Sequence, residues 1–184
     1  GMNNKEYAGI VLQELTHTLS SIDEVQAEKF VQLIDEADEV FCAGAGRSGF
    51  QVKGFAMRLM HLGCRSYFVG ETTTTAIQKG DLLLLCSGSG ESKALISHGE
   101  KAKEKGAALL LVTGNPESTL GKMADVTLVV KAPKKEDREA ASIMPMGTLF
   151  EGGSCLVFEN LVLVLMKAKN ETSESMFKRH ANLE

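Results

Sequence analysis

From Lys5 to Leu19 apolar residues recur at helical spacing (Ile10, Val11, Leu15, Leu19). A second helical pattern runs to about Ala37, with Val25, Phe30, Val31 and Ile34 as its expected buried face. Between the two, Ser21-Ile22-Asp23-Glu24 has the S-x-x-E form of a capping box. Past residue 38 the period changes. Short apolar runs at 40–43, 66–69, 82–86, 108–112 and 126–130 alternate with amphipathic stretches at 48–62, 92–105 and 117–124. Short unbroken apolar runs separated by helices are the mark of βαβ units, which close into a parallel sheet with helices on both faces. The pattern therefore predicts an α/β fold in one domain over 2–184: N-terminal helices at 5–37, a core at 39–130 and a C-terminal part at 150–184. Phe150 to Met166 reads as a long helix, apolar nearly all round, of the kind usually buried and often in a subunit interface, so an interface helix is expected here. Thr172 to Glu184 reads as a short polar helical tail, and Lys131 to Glu139, with Pro133, as a solvated loop.

Right-handed crossovers carry every strand-to-helix loop to one edge of such a sheet, where ligands bind. Two of these loops are rich in glycine and serine. Gly44-Ala45-Gly46-Arg47-Ser48-Gly49 follows the first run, and Ser87-Gly88-Ser89-Gly90-Glu91-Ser92 follows the third. A loop that opens a helix presents unpaired N–H groups and the positive end of the helix dipole, which is an anion site. Serine hydroxyls add neutral donors that also hold sugar hydroxyls. A phosphate at one end and a polyol at the other suits the pair.

Composition narrows the field. Hydrophobic residues make up 43% of the 184, and the net charge is −4. An acidic chain argues against nucleic-acid and anionic-membrane partners. No basic segment followed by an apolar core opens the chain, so the expected location is cytoplasmic. Cys42, Cys64, Cys86 and Cys155 lack metal-ligand or redox spacing, and are expected to be small hydrophobes in a reducing compartment.

The first loop literally satisfies G-x-G-x-x-G, and Glu71 follows at about the distance of a ribose-binding acid. On the residues alone a dinucleotide reading stands beside the sugar-phosphate one. It leaves the second anion cradle unused.

These loops, together with further segments, resemble the sugar isomerase (SIS) domain family, and within it the 6-phospho-3-hexuloisomerases. The further segments are Phe55 to Gly63, Gly70-Glu71-Thr72-Thr73-Thr74, Gly80-Asp81, Met144-Pro145-Met146-Gly147-Thr148-Leu149-Phe150-Glu151 and Arg179-His180-Ala181-Asn182-Leu183-Glu184. Thr75 and Ser92 depart mildly from the family pattern, which favours proline and threonine there. The resemblance implies a three-layer α/β/α sandwich with a five-stranded parallel sheet. It implies interconversion of 3-hexulose 6-phosphate and fructose 6-phosphate without metal or organic cofactor, within formaldehyde assimilation or detoxification by the ribulose monophosphate route. It also implies a homotetramer whose active sites draw on neighbouring subunits.

Moving a carbonyl by one carbon requires a base that takes a proton beside C=O and returns it to the neighbouring carbon. Glu151, in the motif ahead of the apolar helix, is the expected base. His180 is the second acid–base candidate, acting from a neighbouring subunit. Ser48, Ser87, Ser89 and Ser92 match the family's phosphate and sugar contacts, with help from the backbone of Gly88 and Gly90. Arg47, Glu91, Glu71, Thr72 and Thr73 complete the expected lining. His17, His61 and His98 are read as structural. Rival readings are another sugar-phosphate isomerase on this fold, a sugar-phosphate sensor and the dinucleotide binder.

Overall fold

The computed structural model describes residues 1–132 and 141–184. In chain order the elements are α1 (Asn4–Ser20), α2 (Glu24–Glu36), β1 (Val40–Gly44), α3 (Gly46–His61), β2 (Ser66–Phe68), β3 (Leu82–Ser87), α4 (Lys93–Glu104), β4 (Ala108–Thr113), α5 (Thr119–Met123), β5 (Val126–Val129), α6 (Thr148–Ala168) and α7 (Ser173–Phe177). All strand pairs are parallel, in the order β2-β1-β3-β4-β5. This is the expected five-stranded α/β sandwich.

Alternate strand residues feed two cores. Val40, Cys42, Leu82, Leu84, Cys86, Leu110 and Val112 face α2, α3 and α6. Phe41, Ala43, Leu83, Leu85, Leu109 and Leu111 face α4, α5 and the connection after β2. Both faces of β3 are thus covered, which is why its sequence is an unbroken apolar run rather than an alternation. The strand order reverses between β1 and β3. The crevice outside their carboxyl ends is where a doubly wound sheet binds its ligand.

Several expectations are corrected. The cap of α2 is Asp23, which accepts from the Val25 and Gln26 N–H groups, and not Ser21. Ser21 instead closes α1, its hydroxyl donating to the Thr18 carbonyl at 2.7 Å. Starting the helix at Glu24 turns Val25 outward, to 57% exposure, leaving Phe30 and Ile34 as the buried residues. The helix expected at 117–124 forms only over Thr119–Met123, and the tail is helical only over Ser173–Phe177. The charged stretch 131–139 falls largely outside the described residues.

α6 is long and apolar enough to cross a bilayer by composition, the one such helix among the described residues. Its Leu149, Phe150, Val157, Phe158, Leu161, Val162 and Leu165 nevertheless sit in the protein core, while Leu156, Leu163 and Val164 are exposed. α1 lies across its outer side, where Gly152 and Gly153 admit Leu15 and Thr18.

Candidate active site

The first loop is shaped by its glycines. A Cβ at Gly44 would lie 2.8 Å from the Gly49 Cα, and one at Gly49 would lie 2.9 Å from the Gly44 carbonyl oxygen. Only a glycine pair lets α3 fold back this tightly on the end of β1. Gly46 turns the chain between them at φ +54°, in the left-handed region. The three glycines that spell G-x-G-x-x-G are thus accounted for by the turn and do not specify a dinucleotide. α3 opens at Ala45 with no side-chain cap, so its first-turn N–H groups stay available at the crevice. Ser48 is buried in that turn, and Arg47 extends outward.

The second loop is braced both from within and from its neighbours. The Gly90 N–H donates to Ser87 Oγ (3.0 Å), and the Glu91 N–H to Ser89 Oγ (3.2 Å). Ser87 is buried and accepts this bond, which leaves its own proton to donate. The Gly90 N–H expected for substrate is therefore used by the turn itself. The Gly88 carbonyl accepts from the Gly114 N–H and the Thr113 hydroxyl. Glu91 points away from the loop. Its carboxylate accepts from the Thr119 N–H (2.7 Å) and hydroxyl (2.8 Å), bonds that hold its pKa below the usual carboxylate range. Ser92 caps α4, accepting from the Leu95 N–H at 3.5 Å.

α6 completes the crevice. A Cβ at Gly88 would meet the Phe150 ring at 3.2 Å, so this glycine lets the first turn of α6 come up against the second loop. The next residue, Glu151, thereby reaches the first loop: Arg47 Nε lies 2.8 Å from Glu151 Oε1. The contact is an ion pair without hydrogen-bond alignment. Glu151 is 15% exposed and Arg47 66%, so a largely buried carboxylate meets a solvent-exposed guanidinium. Ser48, Ser87, Gly88 and Glu151 thus converge on one crevice, with Arg47 at its mouth.

Other expected residues lie apart from that centre. Glu71, Thr72 and Thr73 are exposed beyond the edge strand β2, and Glu71 pairs with Lys53 of α3 at 3.0 Å. His180 is at the far end of α3, stacked on His61 (5.5 Å) and on Phe177 (5.5 Å). A helix of 16 residues is about 24 Å long, so one chain does not bring its own His180 to Glu151. Arg179 fixes the tail there, donating to the His61 carbonyl (2.9 Å) and pairing with Glu171 (3.1 Å). A cavity of about 370 Å³ opens beside it, lined by Arg58, His61, Glu159 and His180 among others. His61 is buried, as its structural reading expects; His17 is exposed and His98 only partly buried. Among the described residues no group of three or more His, Cys, Asp or Glu side chains is placed to hold a metal.

Two features had no counterpart in the sequence reading. Lys53 brings a second cation to the β2 side of α3. Ser154, one turn after Glu151, is fully buried, with the Cys86 thiol as the weak partner of its hydroxyl. Its helical spacing from Glu151 was the signal that could have found it.

The SIS domain family model matches residues 33–151. The chain is 40% identical to a Bacillus subtilis protein named 3-hexulose-6-phosphate isomerase, over 100% of both chains. It is 38% identical to a protein of that name from Mycobacterium gastri, over 95% of this chain and 88% of the relative. A crystal structure from Methanococcus jannaschii, described as inferring a molecular function of 3-hexulose-6-phosphate isomerase, superposes with a TM-score of 0.86 at 34% identity, covering 97% of this chain and 99% of that one. The fold, its two glycine- and serine-rich loops and these relatives agree: the chain belongs to the SIS domain family, alongside members named 3-hexulose-6-phosphate isomerase.

Proposed function

We propose that the protein is a sugar-phosphate isomerase interconverting D-arabino-3-hexulose 6-phosphate and fructose 6-phosphate. The observation that carries the reading is the Arg47–Glu151 pair at the mouth of a crevice walled by two anion-cradling loops. The names of the full-length relatives supply the substrate. The phosphate docks on the Ser87–Ser92 loop and the first turn of α3, held by hydroxyls and N–H groups. Arriving substrate draws the exposed Arg47 onto its oxygens and releases the carboxylate. Glu151 then takes the proton from C3 of fructose 6-phosphate. The electron pair moves into the C2–C3 enediolate, and the proton returns to C2, leaving the carbonyl at C3. One carboxylate serves both carbons because they are adjacent. No step in this chemistry calls for a metal or an organic cofactor.

His180 enters from a neighbouring subunit and moves protons between the substrate oxygens. An oligomer, in the family a tetramer, is supported by the apolar side chains exposed on α3 and α6: Phe50, Met57, Leu163 and Val164. A cytoplasmic setting next to a hexulose-phosphate synthase completes the reading. The test supplies 3-hexulose 6-phosphate and follows fructose 6-phosphate through coupled NADP reduction. Saturable turnover supports the proposal, and its absence at micromolar enzyme refutes it. A mixture of the Glu151→Gln chain with a chain lacking 179–184 tests the shared site. Recovered activity in the mixed oligomer is expected, and none would keep His180 out of the site.

A further inference from the structure

A buried hydroxyl with no partner destabilises a fold, so its presence needs a reason. Ser154 Oγ is close to such a group: the residue is fully buried, and its hydroxyl meets only the thiol of Cys86, a weak partner. A helical serine commonly turns its hydroxyl onto a carbonyl one turn back, and Ser154 does not. Alanine at this position would favour the helix and bury nothing polar. Packing therefore gives no reason for the serine.

Its surroundings do. Ser154 is three residues after Glu151 on α6, so their side chains leave the helix as neighbours. Glu151 Oε1 is itself buried, and the ion pair with Arg47 gives it no aligned donor. The Ser154 hydroxyl contacts the Cys86 thiol, near the end of β3 just before the second loop, and Glu151 lies within electrostatic range of the same thiol. Burial pushes the Cys86 thiol up to about 12, so it stays S–H and adds no competing negative charge. A donor with only a weak acceptor and an acceptor lacking an aligned donor thus share one buried corner under the crevice.

We propose that Ser154 is a positioning residue for Glu151: once substrate has drawn Arg47 away, the Ser154 hydroxyl donates to Glu151 Oε1 and leaves Oε2 facing the reacting carbons. The inference rests on the isomerase reading above. A hydroxyl suits the task because it both donates and accepts. It serves Glu151 as a carboxylate before proton transfer and as a carboxylic acid while the enediolate exists. Arg47 favours only the first of these forms. The Cys86 S–H, a weak donor, can point at Ser154 Oγ and turn the serine proton toward Glu151.

The test is Ser154→Ala in the full chain, with steady-state kinetics and thermal unfolding measured on the same preparation. The expected result is a kcat lower by about tenfold or more, the scale of one hydrogen bond to a charged group. KM should stay within about twofold, and the melting temperature should hold or rise because a buried hydroxyl with only a weak thiol partner has been removed. Ser154→Cys, a weaker donor in the same place, should fall between the two. Wild-type kcat in Ser154→Ala overturns the proposal. So does a kcat loss matched by a lower melting temperature, which would mark a packing role. A wild-type protein inactive on both sugar phosphates is a different failure: it removes the isomerase reading itself, before any variant is compared.

Discussion

Replacing Glu151 by glutamine changes one oxygen to an amide nitrogen and leaves shape and helix in place. Two consequences can be separated by size. The first is loss of the ion pair with Arg47. With the guanidinium 66% exposed, solvent screens that pair, and exposed pairs contribute about 0–1 kcal/mol. A domain of this length moves by about 2–4 °C per kcal/mol, so the melting temperature should fall by at most about 4 °C. The second consequence is loss of the base. General-base removal costs about 10²–10⁴-fold, or about 3–5.5 kcal/mol of barrier. The catalytic effect should therefore exceed the stability effect several-fold. The coupled assay gives kcat and KM, and circular dichroism on the same sample gives the melting temperature. A Glu151→Gln chain that melts like wild type and turns over within about threefold of it would remove Glu151 from the mechanism.

Four further outcomes are expected. Ser89→Ala removes a hydroxyl from the second loop and should raise KM about tenfold with little change in kcat, read from saturation curves. Gly44→Ala forces a methyl to 2.8 Å from the Gly49 backbone. It should cost about 1–3 kcal/mol in denaturant titration and weaken substrate binding by opening the first loop. Burial first, then Arg58 and His180, holds the His61 pKa below its ordinary value. A depressed histidine gives stability that is present above its unfolded value, about 6.5, and lost as the pH falls through the folded one. The wild-type melting temperature should therefore drop between pH 7 and 5 more steeply than that of His61→Gln. A chain lacking 179–184 should fold, since Arg179 is the tail's anchor and the core lies elsewhere, yet lose turnover.

Local pattern carried much of the reading. β3 and β4 were legible because doubly covered parallel strands must be apolar throughout, as Leu82–Leu85 and Leu109–Val112 are. Glu151 and the serine loop were singled out through the family resemblance, and the loop also through a helix N-terminus that follows a strand. Features set by partners distant in sequence were not. Nothing near Glu91 tells that Thr119 will take its carboxylate. Nothing near Arg47 tells that α6 will bring Glu151 to 2.8 Å. The choice of Asp23 over Ser21 as the cap of α2 is a competition between two good caps, decided by where α1 ends. Ser21 is spent closing that helix.

The central claim is that one carboxylate moves a proton between C3 and C2. The most direct measurement incubates the protein with fructose 6-phosphate in heavy water and follows it by NMR. The account predicts that 3-hexulose 6-phosphate appears, with deuterium entering at C3 of the remaining fructose 6-phosphate and none at C1. Deuterium at C1 would show an aldose–ketose isomerase, and an unchanged substrate with no product would contradict the account outright.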